Sequence, residues 1–220
     1  LYTTRKSRSA TTLDLSLRET PQTVSVVSRS QMDDFGLLSV NDALSATSGI
    51  VVERVETNRT YYTSRGFDVT NFQTDGVGMP FVYGNVNGDI DTAIYDRVDA
   101  VYGANGLMSA TGFPSATINF VRKRPTLDFA AAAGARLGSW GTKRLDADVS
   151  GSLVESGRIR GRAVVAREDG NSYLDRYAYD RSVFYGIVEA DLGESTQLAL
   201  GHDTQRNNAD SPLWGALPMF

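Results

Sequence analysis

Few residues in this chain are able to carry covalent chemistry. His202 is the sole histidine and cysteine is absent, so no nucleophile, base and orienting acid can assemble around an imidazole, and neither a thiolate zinc site nor a histidine metal cluster can form. The carboxylates are scattered, with no pair that stands out as acid and base. Gly103-Ala104-Asn105-Gly106 has the outline of a phosphate-binding turn but lacks the lysine and the following helix that such a loop needs. It reads as a glycine turn. What remains is binding chemistry. The run 77–91 holds four Gly or Pro residues with the aromatics Phe81 and Tyr83, and an unpatterned loop of that length is typically functional or disordered.

The segments that must position such a loop can be read in order. Residues 1–17 are polar, rich in Ser, Thr and Arg, and without periodicity, which predicts a flexible arm. Residues 23–27 alternate as a strand. Ser28 with Gln31, and Ser39 with Asp42, have the spacing of helix capping boxes, and Val40, Ala43, Leu44 and Thr47 share one helical face ahead of Gly49 as a C-terminal cap. Residues 51–53 resume as a strand, and Phe72 and Thr74 lead into the tight turn Asp75-Gly76. Then β-branched runs at 98–101 and 117–121 flank a loop in which Gly103, Gly106 and Gly112 let the chain double back.

After Thr126 the pattern changes to period two. Leu145, Ala147, Val149, Gly151 and Leu153 alternate with Asp146, Asp148, Ser150 and Ser152; Phe184, Gly186, Val188, Ala190 and Leu192 alternate with Tyr185, Glu189 and Asp191. Segments near 129–137 and 159–165 do the same. Ten-residue strands of this kind mark outer-membrane barrels, and the connections at 138–142, 155–157, 168–181 and 193–195 predict tight turns on one side and longer loops on the other. A soluble β-sandwich also alternates. No stretch approaches the roughly 18 apolar residues of a transmembrane helix, so any membrane is met by strands. With a net charge of −4 and basic residues scattered apart from Arg122-Lys123-Arg124, a nucleic-acid footprint is not expected. That triplet reads as a solvated strand end.

Five motifs carry a family resemblance. YDRVDAVYGANGLMSATGFPSATINFVRKRP (95–125), RETPQTVSVVS (18–28), SVNDALSATSGI (39–50), SRGFDVTNFQTDG (64–76) and SPLWGALP (211–218) occur in the order found in TonB-dependent outer-membrane receptors of the ferric-siderophore class. Essentially the whole chain is covered. One departure is Tyr102, where the family usually places an arginine before the glycine. The family's energy-coupling box is not matched within residues 1–17.

The resemblance implies a mixed α/β plug domain at 18–126, preceded by the arm 1–17 and followed at 127–220 by the first antiparallel strands of a transmembrane β-barrel, which in the family has 22 strands. The chain is therefore expected to be truncated. It also implies a receptor in the outer membrane of a Gram-negative bacterium that binds a ferric siderophore outside and imports it with the periplasmic TonB complex. Iron would arrive already chelated, with no cofactor bound by the protein directly, and outer-membrane lipid would surround the strands. An enzyme is not expected. The alternatives are a non-transporting binding or signalling module on the same scaffold, or a receptor for a different ligand. The motifs lie nearest those of coprogen-type and pyoverdine-type receptors, which implies a hydroxamate-containing chelate. Its apolar body and carbonyl edge suit aromatics with a few polar donors. The expected contacts are Arg65, Met79, Phe81, Tyr83, Asn85 and Asn87, with Trp214 and Met219 from the following outer loop. Arg65 has the alternative of pairing with a carboxylate, and Trp214 that of anchoring at the membrane interface. Trp140, in GSWGT, is expected to anchor the first hairpin at that interface.

Overall fold

Two serines start the two α-helices found among the described residues. The computed structural model describes residues 2, 4, 6–11, 13, 15–79, 81, 86–104, 114–213 and 215, with the backbone alone at 87. Ser28 accepts from the Gln31 amide at the start of α1 (Arg29–Asp34). Ser39 and Asp42 exchange side-chain and backbone bonds as a complete capping box at the start of α2 (Val40–Ser45). Val40, Ala43 and Leu44 are buried, as their spacing predicts. The cap itself differs: α2 ends at Ala46, and Gly49 takes its positive φ of 83° three residues later. A hydroxyl explains the delay, because Thr47 bonds back to the Ala43 carbonyl and extends the turn.

Chain packing divides into two units, Leu1–Arg122 with Leu213–Phe220, and Lys123–Pro212. In the first, β3 (Val24–Ser28), β7 (Asn71–Thr74), β8 (Val77–Met79), β10 (Tyr95–Tyr102) and β11 (Ala116–Arg122) form a sheet in the order β3-β10-β11-β7-β8. Only β11 and β7 run parallel within it. The turn between β7 and β8 has φ values of 51° at Asp75 and 82° at Gly76, the geometry that an Asp-Gly pair supplies at least cost. A smaller sheet joins β4 (Val51–Arg54), β5 (Arg59–Ser64) and β6 (Phe67–Asp68), with β9 (Val86–Asn87) on β5. The expected long loop at 77–91 therefore contributes β8 and β9 to two sheets. Their few residues are too short for a two-residue period to register.

The core of this unit is aromatic. Phe72 sits edge-on to Tyr62 at 5.6 Å and stacks with Phe120 at 6.3 Å, and Phe120 in turn stacks with Tyr95 at 5.3 Å. Met32, Leu44, Ile94 and Ile118 are fully buried in the same unit.

The polar segment expected to be a flexible arm is packed in its middle. β1 (Lys6–Ser7) pairs with β2 (Leu15–Ser16), and Ser7, Ser9, Ala10 and Thr11 are buried. Their anchor is Asp99 on β10, wholly buried, which accepts from the Ser7 hydroxyl at 2.9 Å and the Ser9 hydroxyl at 2.5 Å and lies 3.2 Å from the Arg97 guanidinium. Composition predicts disorder where apolar burial is scarce; these residues are held by hydrogen bonds to a charge.

The second unit is a five-stranded antiparallel meander of β12 (Ala130–Leu137), β13 (Lys143–Ser152), β14 (Ile159–Asn171), β15 (Ala178–Asp191) and β16 (Gln197–Asp210). One face exposes Leu145, Val149, Leu153, Val165, Phe184, Val188 and Leu200. The other carries charges in register. Glu168 lies between Arg144 at 3.2 Å and Arg181 at 3.3 Å, and Asp148 between Arg162 at 2.6 Å and Lys123 at 2.8 Å. Arg160 reaches Asp191 at 2.7 Å, and Arg124 pairs with Glu189. An apolar outer face with a polar opposite face is the division expected of a barrel wall between lipid and water.

Two expectations about this region are revised. Connections at 138–142, 153–158, 172–177 and 192–196 are of five or six residues at both ends, so the predicted difference in loop length is not seen. The strands run on into polar sequence, where backbone pairing continues after the alternation of hydrophobicity has faded. Arg122, Lys123 and Arg124 are also not a solvated strand end. Arg122 pairs with Asp75 at 2.7 Å, while Lys123 and Arg124 hold Asp148 and Glu189, and their carbonyls accept from Tyr185 and Arg162.

Candidate ligand-binding site

Of the eight expected ligand contacts, Tyr83, Asn85, Trp214 and Met219 lie outside the described residues, and Asn87 is described only as the backbone partner of Arg59. Arg65, Met79 and Phe81 are in place to be judged. Arg65 is exposed at the corner between β5 and β6, with φ of 55° ahead of Gly66 at 80°. A left-handed conformation costs a non-glycine residue of order 1 kcal/mol, so the turn alone does not explain an arginine there.

Its guanidinium lies 6.0 Å from the centroid of the Tyr102 ring. No carboxylate pairs with it among the described residues. The departure at Tyr102 therefore has a structural role: its hydroxyl donates to the Ser48 carbonyl and its ring supports Arg65. The ring also passes so close to Gly49 that an added Cβ would stand 3.3 Å from it.

Met79 and Phe81 are brought together from the other side. Met79 ends β8 with its sulfur accepting from the Thr74 hydroxyl at 2.7 Å. Phe81 packs edge-on against Phe72 at 4.9 Å and is only half-buried, so one ring face is fixed to the core. The structure places Arg65 on Tyr102, and Phe81 on Phe72.

Between α2 and β5 lies a polar cluster, buried at Asn41 and Tyr62, that periodicity gives no means of finding. Tyr62 donates to Asn41, Asn41 donates to Asp89, and Arg54 lies 3.6 Å from Asp89. Burial, reinforced by the Asp89 carboxylate and opposed by Arg54, pushes the Tyr62 phenol far above its ordinary value. Burial also raises Tyr102, with a Ser25 hydrogen bond and Arg65 opposing. A raised folded-state value means stability that is complete below the unfolded value of about 10 and is lost as pH rises through the folded value, with a slope of at most about 1.4 kcal/mol per pH unit for a phenol. Denaturant unfolding of the first unit should thus be insensitive to these groups up to about pH 10 and weaken above it. Tyr62→Phe should flatten the alkaline slope; an unchanged slope would remove Tyr62 as its source.

Residues 16–117 match the family model described as the TonB-dependent Receptor Plug Domain. The chain is 44% identical to the ferripyoverdine receptor of Pseudomonas aeruginosa, an alignment covering 100% of this chain and 27% of that protein. It is 43% identical to the ferric-pyoverdine 358 receptor of Pseudomonas putida, over 93% of this chain and 25% of the relative. Among solved structures, the pyoverdine outer membrane receptor FpvA from P. aeruginosa PAO1 bound to pyoverdine superposes with a TM-score of 0.92 at 44% identity, over 97% of this chain and 32% of that one. The alcaligin outer membrane receptor FauA from Bordetella pertussis gives 0.84 at 46% identity, over 94% and 36%. The chain thus spans about a quarter of the length of the curated relatives it matches.

Proposed function

This chain belongs to the TonB-dependent receptors, and from that premise we propose that the protein containing it sits in the outer membrane of a Gram-negative bacterium, binds a ferric siderophore outside the cell and imports it by TonB-dependent transport. The observation that carries this reading is the 44% identity to a ferripyoverdine receptor along the whole of this chain. The two faces of the second unit support the membrane part. The Glu168 and Asp148 clusters need a polar surrounding, whereas Leu145, Val149, Phe184 and Leu200 need an apolar one.

The ligand class is a ferric chelate with hydroxamate groups. Its iron is cargo, carried inside the chelate. Arg65, Met79, Phe81, Tyr83, Asn85 and Asn87, with Trp214 and Met219, are the proposed contacts. Arg65 serves as the exposed cation for an anionic or carbonyl-rich chelate edge, and Phe81 as an aromatic floor for its apolar body.

Tryptophan-fluorescence titration of the full-length receptor with ferripyoverdine tests this reading. Binding should quench emission, and Trp214→Phe should remove part of the quenching and weaken binding by about tenfold, a loss of ~1.4 kcal/mol. Unchanged quenching and affinity would take Trp214 out of the pocket. Binding of cobalamin or a sugar in place of any ferric chelate would overturn the ligand class.

A further inference from the structure

The exposed apolar face of the second unit ends in two arginines. Arg167 on β14 and Arg206 on β16 are both exposed, and neither has an ion pair or hydrogen bond among the described residues. On the opposite face Arg144, Arg160, Arg162 and Arg181 are each ion-paired. Register explains the difference. Leu145 stands beside Arg167, Arg167 beside Ser182, and Ser182 beside Arg206, so the four form one row across β13 to β16. Val165 and Phe184 precede and follow this row by two residues on their strands, which puts the arginines on the apolar side of the sheet.

Depth along the strands places the row. From Ile159 to Arg167, and from Leu198 to Arg206, is about 27 Å of strand, or about 20 Å of depth at the tilt of a barrel strand. The apolar band of such a wall is about 25 Å tall, so the arginines stand at its edge, where a cation facing lipid costs far less than at the midplane. On the membrane side of the row lies an open groove of about 820 Å³, lined by Phe184, Gly186, Val188 and Leu200 among others. One row beyond the arginines, Lys143 stands opposite Asp169 and Asn208 donates to both oxygens of Asp180 at 3.1 and 3.2 Å. The acids of that row therefore have cationic or polar neighbours of their own.

A guanidinium matches the oxygens of a phosphate, and two of them can converge on one group from strands on either side of β15. Their backbones are two strand spacings apart, about 9.5 Å, with the Ser182 hydroxyl between them as a third donor. A molecule that sets a phosphate beside apolar chains is a lipid. We propose that Arg167, Ser182 and Arg206 bind the phosphate of a lipid in the outer leaflet of the outer membrane, with its acyl chains lying in the groove below. The inference rests on the reading of the second unit as a barrel wall and of the 172–177 connection as external.

Native mass spectrometry of the full-length receptor in detergent, with diphosphoryl lipid A as the probe, tests the site without a siderophore. The wild type should retain lipid A. Arg167→Gln and Arg206→Gln should each weaken binding about fivefold, the effect of one cation at a membrane surface, and the double variant at least about tenfold. Arg136→Gln removes an exposed cation from the row of Arg144 on the opposite face and should change nothing. These are surface positions, so the variants should fold as the wild type does. A double variant that holds lipid A as tightly as the wild type, or an equal loss in Arg136→Gln, would overturn the inference. So would equal binding of lipid A stripped of its phosphates, equal binding of phosphatidylglycerol, or displacement of lipid A by inorganic phosphate at matching concentration. A receptor found outside the membrane fraction would sink the membrane reading itself, whereas lipid A binding as described without ferripyoverdine binding would sink the ligand reading and leave this site standing.

Discussion

Replacing Phe72 by alanine should destabilise the first unit by about 3–5 kcal/mol, the range for truncating a fully buried phenylalanine. The ring is 1% exposed and touches three others, Tyr62, Phe81 and Phe120, at centroid distances from 4.9 to 6.3 Å. Those neighbours come from β5, from two residues beyond β8, and from β11, so the five-stranded sheet and the β4-β5-β6 sheet of the unit meet through this side chain. The backbone around it is tied in register, with Phe72 beside Ile118 in the parallel pair and opposite Met79 in the antiparallel one. That tethering limits collapse into the void and favours the upper end of the range. A domain of this size has about 5–15 kcal/mol in hand, so the variant would approach unfolding. Phe72→Leu, which conserves most of the volume, should cost roughly 1–1.5 kcal/mol. Urea unfolding of the first unit, followed by near-ultraviolet circular dichroism, checks both. A loss below about 1 kcal/mol for the alanine variant would mean that the rings do not form the core.

What was legible in the sequence was local or periodic. The two serine caps act over three residues, and the Asp-Gly turn over two. In β13 to β15 the alternation of apolar and polar residues repeats often enough to mark the faces. What escaped was long-range and polar. Ser7 and Ser9 find Asp99 some 90 residues away, and Thr57 finds Leu213 at 156. Hydroxyls and single carboxylates carry no period, so no window of sequence announces such pairs. The same reason explains Arg122-Lys123-Arg124: a basic run looks solvated until the carboxylates that face it, on β7's turn and on β13 and β15, are brought alongside. Strand ends escaped for a different cause. β14 continues to Asn171 and β15 begins at Ala178, where pairing is maintained by main-chain bonds and the side chains are polar on both faces.

The candidate site was legible in part. The motif around Arg65 marked an exposed corner between β5 and β6, and the partner of that arginine there is the ring of Tyr102, the residue at which the sequence departs from the pattern of its family. Phe81 likewise reads in sequence as an exposed loop aromatic, and packing against Phe72 turns half of it inward.

The energy source of the proposed transport supplies the second large effect. The outer membrane holds no ion gradient or nucleotide, so the work of opening must be delivered through the periplasm. Uptake of radiolabelled iron as ferripyoverdine, measured in cells whose sole ferripyoverdine receptor is the full-length protein, with and without TonB, tests the account most directly. We expect uptake to fall to background without TonB while cell-surface binding of the chelate persists. Uptake and binding that both survive without TonB would identify a passive pore, and binding without uptake even when TonB is present would identify a non-transporting module; either result would contradict the account.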